Sequence, residues 1–401
     1  MKYSNYQQLC MAEKQLLLNP GPVPVREEVM QRMTEPMISH RSDEFEDVYS
    51  QAQDGMNYVF ERSTVTGRSS SSGGESLILN GTATMAMEAV VSNIVNDRSE
   101  VVSVVNGKFG RRFARIAERH AGNVRRVEAD WGESVALEHV QESLTSETDL
   151  VTMVHNETST GILNPVWGVG RILEDYDALF AVDAVTSLGG DVFCIDNWNV
   201  DLVVTGSQKA LETPPGLSAI YMKNHVRNHI KGEDAPFYED LDWHIRKSEQ
   251  NQTPFTSAVP LFRSLAKATE VIQEESLPSR IHRHHRQSRA FRRGFESLGL
   301  EIFPNPTDHT VLSNTVTAIK LPDQVRDGNV DSFFSAVQEN GVSISGGQAH
   351  LGGEIFRVSN MGSLSSNDIV KGVNAVGDAL NTVGFDADVD TALSKVKEQL
   401  N

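Results

Sequence analysis

Between about residues 76 and 225 the chain alternates short apolar, β-branched runs with amphipathic stretches, and this alternation limits its fold more than any other feature. The strand candidates are 76–79, 100–105, 124–127, 150–154, 179–182, 202–204 and 219–222. Helical patterns lie between them at 84–95, 110–120, 137–143 and 166–176. Near-continuous apolar strands separated by helices predict a mostly parallel sheet covered by helices on both faces. Such sheets bind ligands beyond the carboxyl ends of their strands, so the chemistry is expected just after each strand.

Past residue 260 the pattern changes. Helices are expected at 258–274, 278–298, 330–340 and 367–383, and strands at 301–303, 315–320, 342–344 and 355–359. The α/β chain therefore divides into a large domain, 16–260, and a smaller α+β C-terminal domain, 261–385, with residues 1–15 packing nearby. A tail at 386–401 reads as a short amphipathic helix that packs or frays. The segment 61–76, with four consecutive serines, reads as a flexible surface loop.

Composition narrows the class of partner. The 54 acidic residues outweigh 36 basic ones, a net charge of −18, which argues against nucleic acid and anionic membranes. Arginine outnumbers lysine, so the acidity reads as an adaptation to high salt; an ordinary acidic enzyme is the alternative. Two cysteines, Cys10 and Cys194, are too few for a disulfide framework or a thiolate metal site. The polar start is no signal peptide and no run approaches the ~20 apolar residues of a membrane span, so a cytoplasmic protein is expected.

Lys209 follows the strand candidate 202–204, and Asp183 ends the neighbouring one, 179–182. A lysine and an aspartate at adjacent strand mouths suit pyridoxal 5'-phosphate, the amine forming a Schiff base and the carboxylate keeping the pyridine nitrogen protonated. One Lys and one Asp are common, so a surface pair is the competing reading. The run Asn80-Gly81-Thr82-Ala83-Thr84 opens a helix after the first strand. Free N–H groups and hydroxyls there fit a phosphate, although a plain N-cap turn would look alike. Phe109 lies between Gly107 and Gly110 after the next strand, placed either to stack on a pyridine ring or to join the core. The polar run His155 to Gly161 suits a cofactor hydroxyl, a substrate or a capped loop. The His/Arg run from Ile281 to Arg293 lacks acidic or cysteine ligands and reads as a solvated helix face.

In this order and at these separations, the segments resemble the class V aminotransferases of fold type I. The likeness is greatest to the branch of alanine–glyoxylate and serine–pyruvate (serine–glyoxylate) aminotransferases, here of halophilic archaeal type. Leu16-Leu17-Leu18-Asn19-Pro20-Gly21-Pro22 resembles that branch's N-terminal element, which implies a substrate contact at Gly21. His40-Arg41-Ser42-Asp43-Glu44-Phe45 and Ile355-Phe356-Arg357-Val358-Ser359 resemble two more of its runs.

The resemblance implies that Lys209 carries the cofactor and shuttles the proton, that Asp183 partners the pyridine nitrogen, and that Val185 and Phe109 cover the two ring faces. It implies that Thr158 binds near the ring hydroxyl. The phosphate would be held by Thr82, Ala83, Thr84 and Gln208, and by Thr256 and Thr253 reaching across a homodimer. Arg357 would hold the substrate carboxylate. A small donor, alanine or serine, with glyoxylate or pyruvate as acceptor and ping-pong kinetics is then expected. Aspartate and 2-aminoethylphosphonate transaminases are the alternatives within the family. A cysteine desulfurase is disfavoured because no cysteine follows Cys194, and a non-catalytic cofactor-binding regulatory protein because Lys209 and Arg357 are both retained.

Overall fold

A computed structural model describes residues 15–307 and 310–401. Cys10 and the packing expected of residues 1–14 lie outside these described residues.

Seven strands form the central sheet: β1 (Gly74–Asn80), β2 (Glu100–Val105), β3 (Asn123–Glu128), β4 (Thr148–Val154), β5 (Leu179–Asp183), β6 (Leu202–Gly206) and β7 (Leu217–Lys223). Their spatial order is β1-β7-β6-β5-β4-β2-β3. Only β7 runs against its neighbours, so the carboxyl ends of β1, β2, β4, β5 and β6 share one edge. The unbroken apolar runs are explained by burial on both faces. Along the strands, Phe180, Val182 and Val203 join one core cluster, while Leu179, Ala181, Leu202 and Val204 join the other. One face is covered by α1 (Asp43–Arg62) and the other by α2 (Ala83–Ile94) and α3 (Lys108–His120).

Helix α4 (Val259–Glu275) packs on α1 through Phe262 and Leu265, and leads into α5 (Leu277–Ser297). The left-handed Ser276 at the joint accepts a hydrogen bond from the Ser279 N–H. A separate core forms around Phe291, Phe295, Phe333, Phe356 and Val376. It joins α5 to α6 (Val330–Glu339), α7 (Ser366–Thr382) and a three-stranded antiparallel sheet of β8 (Val316–Lys320), β10 (Ile355–Ser359) and β9 (Ser345–Gly346). The tail is a packed helix, α8 (Val389–Leu400), which buries Ala392, Val396 and Leu400. Leu16–Leu17 pairs in parallel with Val342–Ser343, binding the start of the described chain to this second core.

Three expectations need correction. The strand at 301–303 is a single bridge between Ile302 and Ile319, because Pro304 and Pro306 supply no N–H groups to extend a ladder. The His/Arg face of α5 is not wholly solvated. His284 is fully buried within it, beside the equally buried Arg280, because both face the loops that follow β5 and β6. The serine run is tied down rather than free: Ser72 N–H donates to Asp196 Oδ2 and Ser70 Oγ accepts from Ile195 N–H.

Candidate active site

The shared edge of the sheet opens on a cavity of about 250 Å³. Its lining takes residues from the ends of five parallel strands in turn: Thr82, Ala83 and Thr84 after β1, Phe109 after β2, and Thr158 after β4. Asp183 and Val185 follow from β5, and Gln208 and Lys209 from β6. Nine of the residues read from sequence therefore meet in one place.

Helix α2 starts at Ala83, and its N-cap Thr82 makes no side-chain capping bond. The exposed hydroxyl and the unpaired N–H groups of the first turn remain available to an anion. Phe109 stands at the start of α3, whose first turn is fixed by Glu157. This fully buried carboxyl accepts from the Phe109 and Gly110 N–H groups at 3.0 Å each, and from Ser159 Oγ at 2.5 Å. A Cβ at Gly107 would collide with the Glu157 side chain, so the position before Lys108 must stay bare. Burial raises the Glu157 carboxyl, and its hydrogen bonds offset this only in part.

Asp183 accepts from the Val185 N–H at 2.9 Å. Burial pushes its carboxyl up to about 6, with nearby Glu157 adding to the rise. A cationic N–H placed against it would restore the ionised form. Burial draws the Lys209 amine down to about 8, and the Arg357 guanidinium acts in the same direction. Lys209 Nζ donates to the carbonyl of Pro20, carried in from the strand Leu16–Leu17. Gly21 sits over the lysine with φ +128°, and a Cβ there would lie 2.5 Å from Nζ. This glycine is required twice, by its backbone angle and by its neighbour.

Arg357, on β10, is 4 % exposed and does not line the cavity itself. It stands behind the wall, with Nη1 donating to the Thr158 carbonyl and Nε and Nη2 to that of Gly346. Thr158 Oγ1 pairs with Thr186 Oγ1 at 2.9 Å. Thr253 and Thr256 are not among the lining residues. Thr253 is buried with its hydroxyl donated to the Phe255 carbonyl, whereas Thr256 is exposed and its carbonyl accepts from Asn80. Arg41 holds this segment by donating to the carbonyls of Thr253 and Pro254.

Sequence reading missed Met87, Arg112 and Asn156 as named lining residues, and Glu157 behind them. Asn156 and Glu157 fall inside the polar run after β4, so their place was marked but their burial was not. Arg112 lies one helical turn beyond Phe109, but that spacing alone does not mark it as facing the cavity.

Pyridoxal phosphate fits these groups. Asn156 Oδ1 and Gln208 Oε1 are buried at the cavity without a hydrogen-bond partner among the described residues, and such atoms are costly unless a ligand meets them. An amine, a carboxyl and a helix N-terminus surround the same space. Fold and site thus define a pyridoxal-phosphate-dependent transferase of fold type I.

More narrowly, the chain belongs to the class-V aminotransferases, whose family model matches residues 16–358. An uncharacterised aminotransferase of Methanocaldococcus jannaschii is 36% identical over 380 residues, covering 94% of this chain and 95% of that one. The solved alanine–glyoxylate aminotransferase of Nostoc sp. superposes with a TM-score of 0.81 at 28% identity, covering 96% of this chain and 100% of its own. The aspartate aminotransferase of Thermus thermophilus gives 0.82 at 27% identity, covering 92% and 99%. Similarity to proteins with alanine and aspartate donors is thus nearly equal.

Proposed function

We propose that the chain transfers the amino group of alanine or serine to glyoxylate or pyruvate, as a cytoplasmic homodimer with ping-pong kinetics. The carrying observation is Arg357, a buried cation with no carboxylate partner among the described residues, close enough to Lys209 to depress its amine. A donor's α-carboxylate is the anion that matches it. A small side chain is favoured because Pro20 and Gly21 crowd the lysine.

When bound, pyridoxal phosphate supplies an aldehyde that takes up the amino group and a ring that accepts the electron pair left at Cα. Lys209 holds the cofactor between turnovers, and its Nζ moves the proton from the donor's Cα. An amine at about 8 is part neutral near neutral pH, as a proton acceptor must be. Asp183 keeps the ring nitrogen protonated, Phe109 and Val185 bound the ring faces, and Thr158 binds the ring hydroxyl. The turn 82–84 and Gln208 hold the phosphate. Thr256, on a turn braced by Thr253, reaches the partner subunit's phosphate. Gly21 lies over the amine, where it contacts the substrate.

The loaded protein, mixed with single amino acids, is expected to convert from the pyridoxal to the pyridoxamine absorbance roughly tenfold faster with alanine or serine than with aspartate. A faster aspartate reaction would replace the donor assignment, and no conversion with any amino acid would end it. The excess of carboxylates further supports a protein of high-salt cytoplasm. Its melting temperature should rise as KCl approaches molar levels, and a fall would refute that reading.

A further inference from the structure

Arg112 touches the cavity from α3, and neither motif nor spacing had given it a role. Its Nη1 donates to Thr84 Oγ1 at 2.8 Å, and its guanidinium carbon lies 4.9 Å from the centroid of the Phe109 ring. Thr84 takes one of the five N–H donors of the group. Among the described residues no carboxylate pairs with Arg112, in contrast to Arg280 and Arg283, which share Glu275 and Glu212. A half-buried guanidinium with donors left over at a cavity calls for an anion.

Position decides which anion. Arg112 shares Thr84 with the first turn of α2, where the free N–H groups and the Thr82 hydroxyl converge. Arg357 is anchored elsewhere, on the carbonyls of Thr158 and Gly346, and is the better seat for a substrate carboxylate. The Phe109 ring gives the planar guanidinium a surface that limits its swing.

We propose that Arg112 is a cofactor-binding residue that grips the phosphate monoester of bound pyridoxal phosphate, completing the turn 82–84. The assignment rests on reading that turn as the phosphate seat. It also gives Phe109 a second task, since one ring would flank the cofactor and steady the arginine.

The test compares cofactor-free wild type, Arg112→Gln, Arg112→Lys and Thr84→Ala, with folding checked by circular dichroism. Dissociation constants are measured for pyridoxal phosphate and for pyridoxal, which lacks the phosphate. Losing a charge-assisted bond should weaken pyridoxal phosphate roughly tenfold to a hundredfold in Arg112→Gln. Pyridoxal should change less than about twofold, the scatter of non-contacting changes. Arg112→Lys should fall between, and inorganic phosphate should compete with pyridoxal phosphate on wild type but poorly on Arg112→Gln. Equal weakening of both ligands would overturn the proposal and make Arg112 a support for Phe109; so would no weakening of either. If Arg112→Gln discriminates while Thr84→Ala does not, the Thr84 hydroxyl is dispensable and Arg112 keeps its role beside the backbone N–H groups of the turn. Should Arg112→Gln fail to fold, the same ratio in Arg112→Lys decides.

Discussion

Lys209 and Arg280 are both cations withdrawn from water, and both bear on the loop after β6, but their surroundings differ in kind. Arg280 is fully buried and donates to the carbonyls of Gly189 and Ala210 and to Glu212 and Glu275, at 2.6–3.0 Å. Arg283 closes the cluster on Glu275, whose carboxyl sits at about 2 because the two arginines hold its charged form against the upward push of burial. Three residues before Glu212, Lys209 has only the carbonyl of Pro20 as a hydrogen-bond partner among the described residues. Its neighbour Asp183 is pushed up to about 6, and Asn156 and Gln208 keep bare acceptors. One cluster pairs its charges within the chain, although Arg283 Nη1 has no hydrogen-bond partner among the described residues, and the other leaves its charges for a ligand. Lost stability should mark the first cluster and lost chemistry the second.

The largest expected effect is on turnover. Lys209→Ala should lower kcat by about 10³-fold or more, as loss of a general base does, while the cofactor-free protein melts no lower than wild type. Multiple turnovers at near-normal rate would remove the lysine from the mechanism. Arg280→Met should cost about 3 kcal/mol by removing one of the two arginines that Glu212 and Glu275 share and leaving Arg283 to hold both, read from denaturant unfolding. A loss below about 1 kcal/mol, the worth of an exposed pair, would show that the cluster is not the staple its geometry suggests.

Asp183 tests the contrast through pH. Its folded-state value of about 6 lies above the ordinary 3.8, so its contribution to stability is full below about 4 and is lost as pH rises through 6. In the cofactor-free protein, Asp183→Asn should therefore gain on wild type as pH climbs from 4 to 7, by up to about 3 kcal/mol. Parallel stability curves for the two proteins would contradict this. The smallest effect belongs to Thr82. Its hydroxyl does not cap α2, so Thr82→Ala should cost only a few tenths of a kcal/mol, against ~1 for a working cap. A full cap penalty in thermal unfolding would return Thr82 to a structural role.

Much of this was legible because parallel strands advertise themselves. Runs such as Glu100–Val105 and Leu202–Gly206 are apolar on both faces, and each strand end marks a place for chemistry. Position along the chain marked Lys209, Asp183 and the turn 82–84 as candidates, the family resemblance gave them roles, and the structure brings them to one cavity. Arg112 could not be marked in this way, since its meaning depends on α2 and α3 opening side by side. Nor could the inward turn of His284 and Arg280, because a run rich in charge looks solvated until the loops it covers are placed. The short strand at Leu16–Leu17 has its partner at Val342–Ser343, a pairing no local pattern announces.

That last pairing also orders assembly in time. Asn19 bonds Ser345 across 326 positions, and the chain then turns through Pro20 and Gly21 over Lys209. During synthesis these early residues have no strand to join until the ribosome has passed Val342, and closing so long a loop is slow. Arg357 arrives later still. A nascent chain can build the seven-stranded sheet and present its lysine well before anything covers the amine. The pocket therefore acquires its cover, and the buried Arg357 behind its wall, only after the seven-stranded sheet has been made.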